Sequence, residues 1–152
     1  MTIEVLSRPG RRPYPPRVTA TTAPFWEGLL EGRFQTTRCD DCGRFSFPPK
    51  VICPHCWSRR ILWHELSGNG RLYSSTTIHA APASFRQEAP YRVAIVDLEE
   101  GVRLATRLLG GGPATLDSPV RLVALSYDDG PLFAARPDGG CIASVGLAPR
   151  PG

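Results

Sequence analysis

CDDCGRFSFPPKVICPHC, residues 39–56, is the stretch from which the rest of this chain can be read. Two Cys-x2-Cys pairs, Cys39 with Cys42 and Cys53 with Cys56, stand ten residues apart. Four thiolates at that spacing can close a tetrahedral shell around one Zn2+, each pair turning in a tight knuckle that supplies two ligands. Gly43, directly after the first pair, can take the positive φ that such a knuckle often needs, and Pro54 pre-sets φ in the second. Between the pairs Phe45 and Phe47 alternate as in a strand, and Pro48 and Pro49 interrupt the pairing. The expectation is a zinc ribbon over 36–62 holding one structural Zn2+ per chain. His55 lies inside the second knuckle and His64 beyond it, but four cysteines already complete the shell. A closed shell leaves no open position for substrate or water, so the metal braces the fold.

Composition limits what surrounds the ribbon. Sixteen prolines and fifteen glycines in 152 residues suit short strands joined by turns, in one modest domain or a small module attached to a second. No run of about 18 apolar residues occurs, and Arg8, Arg11 and Arg12 are not followed by a hydrophobic segment, so neither export nor membrane spanning is expected. Four cysteines in ligand spacing and one left over fit a reducing compartment, and the cytoplasm is the expected location. Cys141, in a Gly-rich tail without a His or basic neighbour, reads as an inert thiol. The net charge of +4 is uneven: residues 1–62 hold ten Lys or Arg against five Asp or Glu, and residues 63–152 hold eight against nine. The basic excess sits in the N-terminal part.

Residues 1–23, rich in Pro, Arg and Thr, cannot bury enough apolar surface to fold alone. They are expected to form an extended arm, disordered or docked on a partner. Pro24 can open a helix over 24–33 in which Phe25, Trp26, Leu29 and Leu30 share one face and Gly32 marks the stop. That face must be covered, either by a partner or by the chain's own ribbon. From residue 63 to 137 the pattern changes to strands at 71–79, 92–98, 102–109, 120–127 and 132–136, with turn signals at Glu100-Gly101 and Asp128-Asp129-Gly130-Pro131. Residues 80–90 and 110–119 read as loops and 138–152 as a flexible tail. Five short strands containing two hairpins match a small Greek-key barrel of the OB type, so the fold class is mainly β.

The ordered set Phe25-Trp26, Arg38-Cys39-x2-Cys42-Gly43, Phe47-Pro48-Pro49, Cys53-Pro54-x-Cys56, Trp63, Ser67-Gly68-x-Gly70, Tyr73 and Thr76 strongly resembles the DUF35 family over about residues 24–137. The resemblance implies an N-terminal helix, a rubredoxin-like zinc ribbon and a C-terminal OB-fold. It also implies a role as a subunit beside thiolase-fold enzymes that act on acyl-CoA thioesters. Retro-aldol cleavage of steroid side chains, thiolysis and C-acylation are reactions of that kind. The chain would then support its partner and help to form the substrate channel, in a hetero-oligomer with acyl-CoA at the shared site.

The residues themselves offer little independent chemistry. There is no Gly-x-Ser-x-Gly, no phosphate-binding Gly-x-x-x-x-Gly-Lys, no Gly-x-Gly-x-x-Gly and no His-Glu-x-x-His. No catalytic residue is expected in this chain. Candidate contacts for acyl-CoA or a partner are Phe25, Trp26, His79, Phe85, Arg86, Arg103, Arg107 and Arg121, with the 79–90 loop reaching across the partner's acyl pocket. Independent binding of acyl-CoA and a small nucleic-acid-binding protein are the alternatives. An OB-fold that binds single strands needs aromatic platforms in a basic groove. Here the second barrel strand offers Tyr91, and the third offers no aromatic residue, only Arg103 and Arg107 on one face.

Overall fold

Alternating side chains build the barrel. The computed structural model describes residues 2–139. The barrel strands are β5 (Asn69–Ile78), β6 (Tyr91–Leu98), β7 (Arg103–Leu108), β8 (Pro119–Tyr127) and β9 (Gly130–Pro137). Ala94, Val96 and Leu98 of β6, Leu104 and Leu108 of β7, and Val120, Leu122 and Ala124 of β8 recur at every second position and are buried in one core. The pairing β5-β6-β7-β9-β8 closes because β8 also pairs with β5, and only the β7–β9 contact in this ring is parallel. This is the expected five-stranded OB barrel. Both anticipated hairpins form, β6–β7 meeting at Asp97↔Arg103 and β8–β9 at Tyr127↔Gly130.

The ribbon is a separate three-stranded sheet ordered β3-β2-β4, from β2 (Gln35–Cys39), β3 (Phe45–Ser46) and β4 (Ile61–Glu65). Its third strand pairs with β2 from Cys39↔Ile61 to Gln35↔Glu65, so it runs on three residues past the expected end at 62. Helix α1 (Ala23–Leu30) carries Pro24 in its first turn. The open question of what covers its aromatic face has an internal answer. The Phe25 ring meets those of Phe34, Phe47 and Phe133 at 5.3, 5.5 and 5.8 Å, so ribbon and barrel cover it together. Leu30, expected on the same face, points to solvent.

Two segments differ from expectation. Residues 80–90 are not a free loop, because Ala83–Glu88 forms a 3-10 helix held against the barrel. The N-terminal arm docks on this same chain: β1 (Glu4–Ser7) adds in parallel to β8, Glu4↔Val123 to Ser7↔Ser126, along the part of its edge that β5 leaves unpaired. Ile3 is buried in the core and its N–H donates to the Gly32 carbonyl at 2.7 Å. Four residues of strand show little pattern, and their partner lies more than a hundred positions away, so composition alone could not place them. At the other end, the Asp138 N–H donates to the Pro119 carbonyl at 2.9 Å, so the chain stays attached there. Cys141 and most of the expected tail lie outside the described residues.

Arg12 clasps the arm to the β8–β9 turn. Its backbone N–H donates to Asp129 Oδ1 at 2.8 Å, and its guanidinium donates to the Asp129 carbonyl at 2.6 Å and the Pro131 carbonyl at 3.3 Å. Gly130 (φ +136°) makes room: a Cβ there would lie 2.7 Å from the Arg12 guanidinium carbon. Arg12→Ala is therefore expected to release the arm, removing about 1–3 kcal/mol of charged hydrogen bonding. Amide exchange at 4–7 and trypsin cleavage after Arg11 should accelerate while the barrel amides stay protected. The Arg12 N–H holds the Asp129 carboxyl below its ordinary range, aided by the Arg12 charge. A depressed carboxyl stabilises the docked arm fully above its free value near 3.8, and that support is lost as the pH falls below it.

Candidate metal centre and partner-facing surfaces

The two knuckles are near copies of each other. The Cys39 N–H donates to the Arg44 carbonyl and the Cys53 N–H to the Ser58 carbonyl, both at 2.9 Å. The Gly43 N–H returns to the Cys39 carbonyl at 2.9 Å, and the Trp57 N–H to the Cys53 carbonyl at 3.0 Å. Both closing residues take the left-handed conformation, Gly43 at φ +74° and Trp57 at φ +65°. The first was expected of a glycine; the second falls on a tryptophan, which the sequence reading did not single out.

These turns bring four sulfurs together. Cys39 Sγ lies 3.5 Å from Cys56 Sγ and Cys42 Sγ 3.6 Å from Cys53 Sγ, and all four lie within 4.8 Å of one another. A tetrahedron of sulfurs about 2.3 Å from zinc has edges of about 3.8 Å, so the quartet fits the ion. Among the described residues these cysteines form the metal-ligating cluster; His55 and His64 do not join it. Cys39 and Cys53 are buried and Cys42 and Cys56 exposed, so the site lies at the rim of the ribbon. Packed sulfurs share protons unevenly. The Cys42 N–H, against the cost of burial, draws Cys39 down to about 7. At Cys56 the favourable Ser58 N–H is outweighed by the Cys39 sulfur and by burial, and the thiol is pushed up to about 12. A dication bound here would discharge those protons and supply the closure of the ribbon.

The predicted contact residues separate into two groups. Phe25 is buried in the chain's own core and cannot meet a ligand, whereas Trp26 is half-buried against it. The three arginines expected to contact acyl-CoA or a partner already have carboxylate partners in this chain. Arg103 makes a two-pronged bond to Asp97 at 2.5 and 2.8 Å and lies 3.7 Å over Tyr73. Its hydrogen bond holds the Asp97 carboxyl below the usual range. Arg107 meets Glu88 at 2.5 Å and covers the Tyr91 ring at 4.2 Å, with Phe85 5.9 Å from Tyr91. This pins the 3-10 helix to the barrel. Arg121 reaches Asp138 at 3.2 Å. The Arg103–Asp97 pair is local to the β6–β7 hairpin, whereas the partners of Arg107 and Arg121 depend on separate segments meeting. His79 and Arg86 are exposed.

One open cleft of about 580 Å3 lies along β5, bounded by Arg71, Arg121, Asp97, Glu99, Asp117 and Asp138. Carboxylates outnumber guanidiniums in its wall, and each of those guanidiniums is paired. The cleft is thus a poor receptor for a phosphate-rich ligand. No helix among the described residues is long and apolar enough to cross a membrane.

Comparison with known proteins gives two matches to family models: the ChsH2 rubredoxin-like zinc ribbon domain at residues 26–61 and the ChsH2 C-terminal OB-fold domain at residues 63–125. A DUF35 domain-containing scaffold protein of Methanocaldococcus jannaschii is 41% identical over 78 residues, 50% of this chain and 55% of that protein. The benzoylsuccinyl-CoA thiolase subunit BbsA of Thauera aromatica is 30% identical over 80% of this chain and 87% of its own length. The solved Ltp2-ChsH2(DUF35) aldolase contains a chain matched at TM-score 0.71 and 35% identity, over 81% of this chain and 98% of that one. The chain covers only part of the length of several curated relatives it matches, 55% and 62% of two and 36% of a third.

Proposed function

Because this chain belongs to the DUF35 family of ChsH2-type zinc-ribbon/OB-fold proteins, we propose that it is a non-catalytic subunit supporting a thiolase-fold enzyme that acts on acyl-CoA thioesters. The observation that carries this reading is the likeness along 98% of a chain of the Ltp2-ChsH2(DUF35) aldolase, joined by that to a thiolase subunit over 87% of its length. The metal geometry agrees with it. Four thiolates that close the shell support structure and leave no position for activating water or a carbonyl. Arg103, Arg107 and Arg121 are held in ion pairs within this chain, so they are not free to carry the contact. Trp26, His79 and Arg86 remain the candidates for direct contact with that partner.

In this role the chain holds the partner's channel in shape, and the nucleophile or base resides in the partner. The reaction is a thiolytic, acyl-transfer or retro-aldol step, and the acyl group, a steroid side chain among the candidates, is selected by the assembled pair. Co-expression with thiolase-fold proteins of the source organism should give a stable complex in size-exclusion chromatography with light scattering. Cleavage or transfer of acyl-CoA should require both chains. Separate elution with no gain of turnover would overturn the reading. Salt-sensitive binding of single-stranded DNA at sub-micromolar affinity would instead favour nucleic-acid binding.

A further inference from the structure

The second zinc knuckle carries a conflict that the folded chain does not resolve by itself. Trp57 closes this knuckle at φ +65°, a conformation in which an L side chain crowds its own backbone, while Gly43 performs the same turn without strain. Its side chain repays nothing inside the chain, since it is 80% exposed. Val51 and Ile52, immediately before Cys53, are 63% and 37% exposed. Three large apolar side chains therefore cluster in sequence around one rigid, metal-ligating turn. Tryptophan is among the residue types enriched in the energetic hot spots near the centre of protein interfaces.

The charge around it is one-sided. Arg44 approaches the knuckle from the first half of the ribbon, its Nη1 3.5 Å from His55 Nδ1. Lys50 precedes Val51, and Arg59 follows Trp57 by two residues. All three are exposed and have no ion pair among the described residues. The nearby carboxylates, Asp40 and Asp41, are both taken by Arg60 at 2.6 and 2.8 Å. An apolar knob within unpaired cations calls for an apolar pocket rimmed by carboxylates.

We propose that the second knuckle is the anchor by which this chain docks its thiolase-fold partner, Trp57 entering an apolar pocket whose acidic rim meets Arg44, Lys50 and Arg59. The inference rests on the function proposed above and adds the surface that performs it. The zinc then acts on assembly, because it fixes the turn that aims the tryptophan.

Trp57→Gly separates docking from folding, because it removes the knob and relieves the turn in one change. The free variant should keep its zinc and a melting temperature no lower than wild type, while its affinity for the thiolase-fold subunit falls about 30-fold. Trp57→Asn, which tolerates the left-handed turn, should behave alike. The double reversal Lys50→Glu with Arg59→Glu should slow association and flatten its salt dependence. Undiminished affinity of Trp57→Gly in a complex that wild type does form overturns the anchor alone. A melting temperature lower by several degrees assigns Trp57 to the fold and overturns it too. A wild-type chain that binds no thiolase-fold subunit overturns both readings. Wild type sedimenting with phosphatidylserine vesicles through Trp57 overturns the protein partner in favour of a lipid surface.

Discussion

Cys53→Ser is expected to strip the chain of zinc and leave it largely insoluble. Cys53 is wholly buried, and its sulfur lies 3.6 Å from that of Cys42 and within 4.8 Å of the other two. A serine hydroxyl holds its proton at neutral pH and cannot replace a thiolate, so three ligands remain around a position open to water. Structural zinc contributes on the order of 10–16 kcal/mol in small ribbon and finger modules, which is comparable to the whole stability of a domain. The damage does not stop at the metal. Phe47 lies between the two cysteine pairs and packs on Phe25, Phe34 and Phe133, so a melted ribbon exposes the aromatic face of α1 and the barrel. Elemental analysis should fall from about one zinc per chain to a small fraction, and the protein should move to the pellet. Cys56→His is the informative control, because position 56 is exposed and imidazole is a competent fourth ligand. It should retain zinc where Cys56→Ser does not; equal solubility and metal content in all these variants would show that the quartet is not a zinc site. Acid should act in the same direction, since protons compete for the thiolates and the metal's support is lost as pH falls.

What the sequence disclosed followed from how far apart the interacting residues lie. The sulfurs were legible because each knuckle is four residues long and chemistry fixes the spacing. The β6–β7 and β8–β9 hairpins were legible because alternation and Gly-containing turns are local. The docking of β1 on β8 and the ion pairs of Arg107 with Glu88 and Arg121 with Asp138 are products of closure, and no local pattern announces them. The burial of Phe25 belongs with these: its amphipathic helix was plain, but which surface covers it is settled by Phe34 and Phe133 coming together from opposite parts of the chain. Trp57 is an intermediate case. The equivalence of its place after Cys56 to that of Gly43 after Cys42 was available in the sequence, and reading the two knuckles as copies would have exposed a tryptophan where a glycine is at ease.

Phe34→Ala is expected to lower the stability of the whole chain by about 3–5 kcal/mol without displacing the metal. Phe34 links α1 to β2 and is 0% exposed. Its ring stacks on Phe47 at 5.7 Å and meets the edges of Phe25 at 5.3 Å and Phe133 at 5.4 Å, so helix, ribbon and barrel share this one residue. The Leu66 N–H donates to the Phe34 carbonyl at 2.7 Å and fixes the backbone where the ribbon passes into the barrel. Because that backbone is held, the neighbouring rings cannot collapse freely into the void, which places the cost towards the upper end of the range. For a chain of this size the melting temperature should fall by roughly 10–20 °C, in a single transition, with zinc content unchanged. A ribbon merely tethered to an independent barrel would respond otherwise, with two transitions and an unmoved barrel. A double-mutant cycle with Phe133→Ala sharpens the distinction. Rings in edge contact should couple by about 0.5–1.5 kcal/mol, so the double variant should lose less than the two single variants added together. Strict additivity would mean that the aromatic joint does not join, and that the knuckles are not held at a fixed angle to the OB barrel.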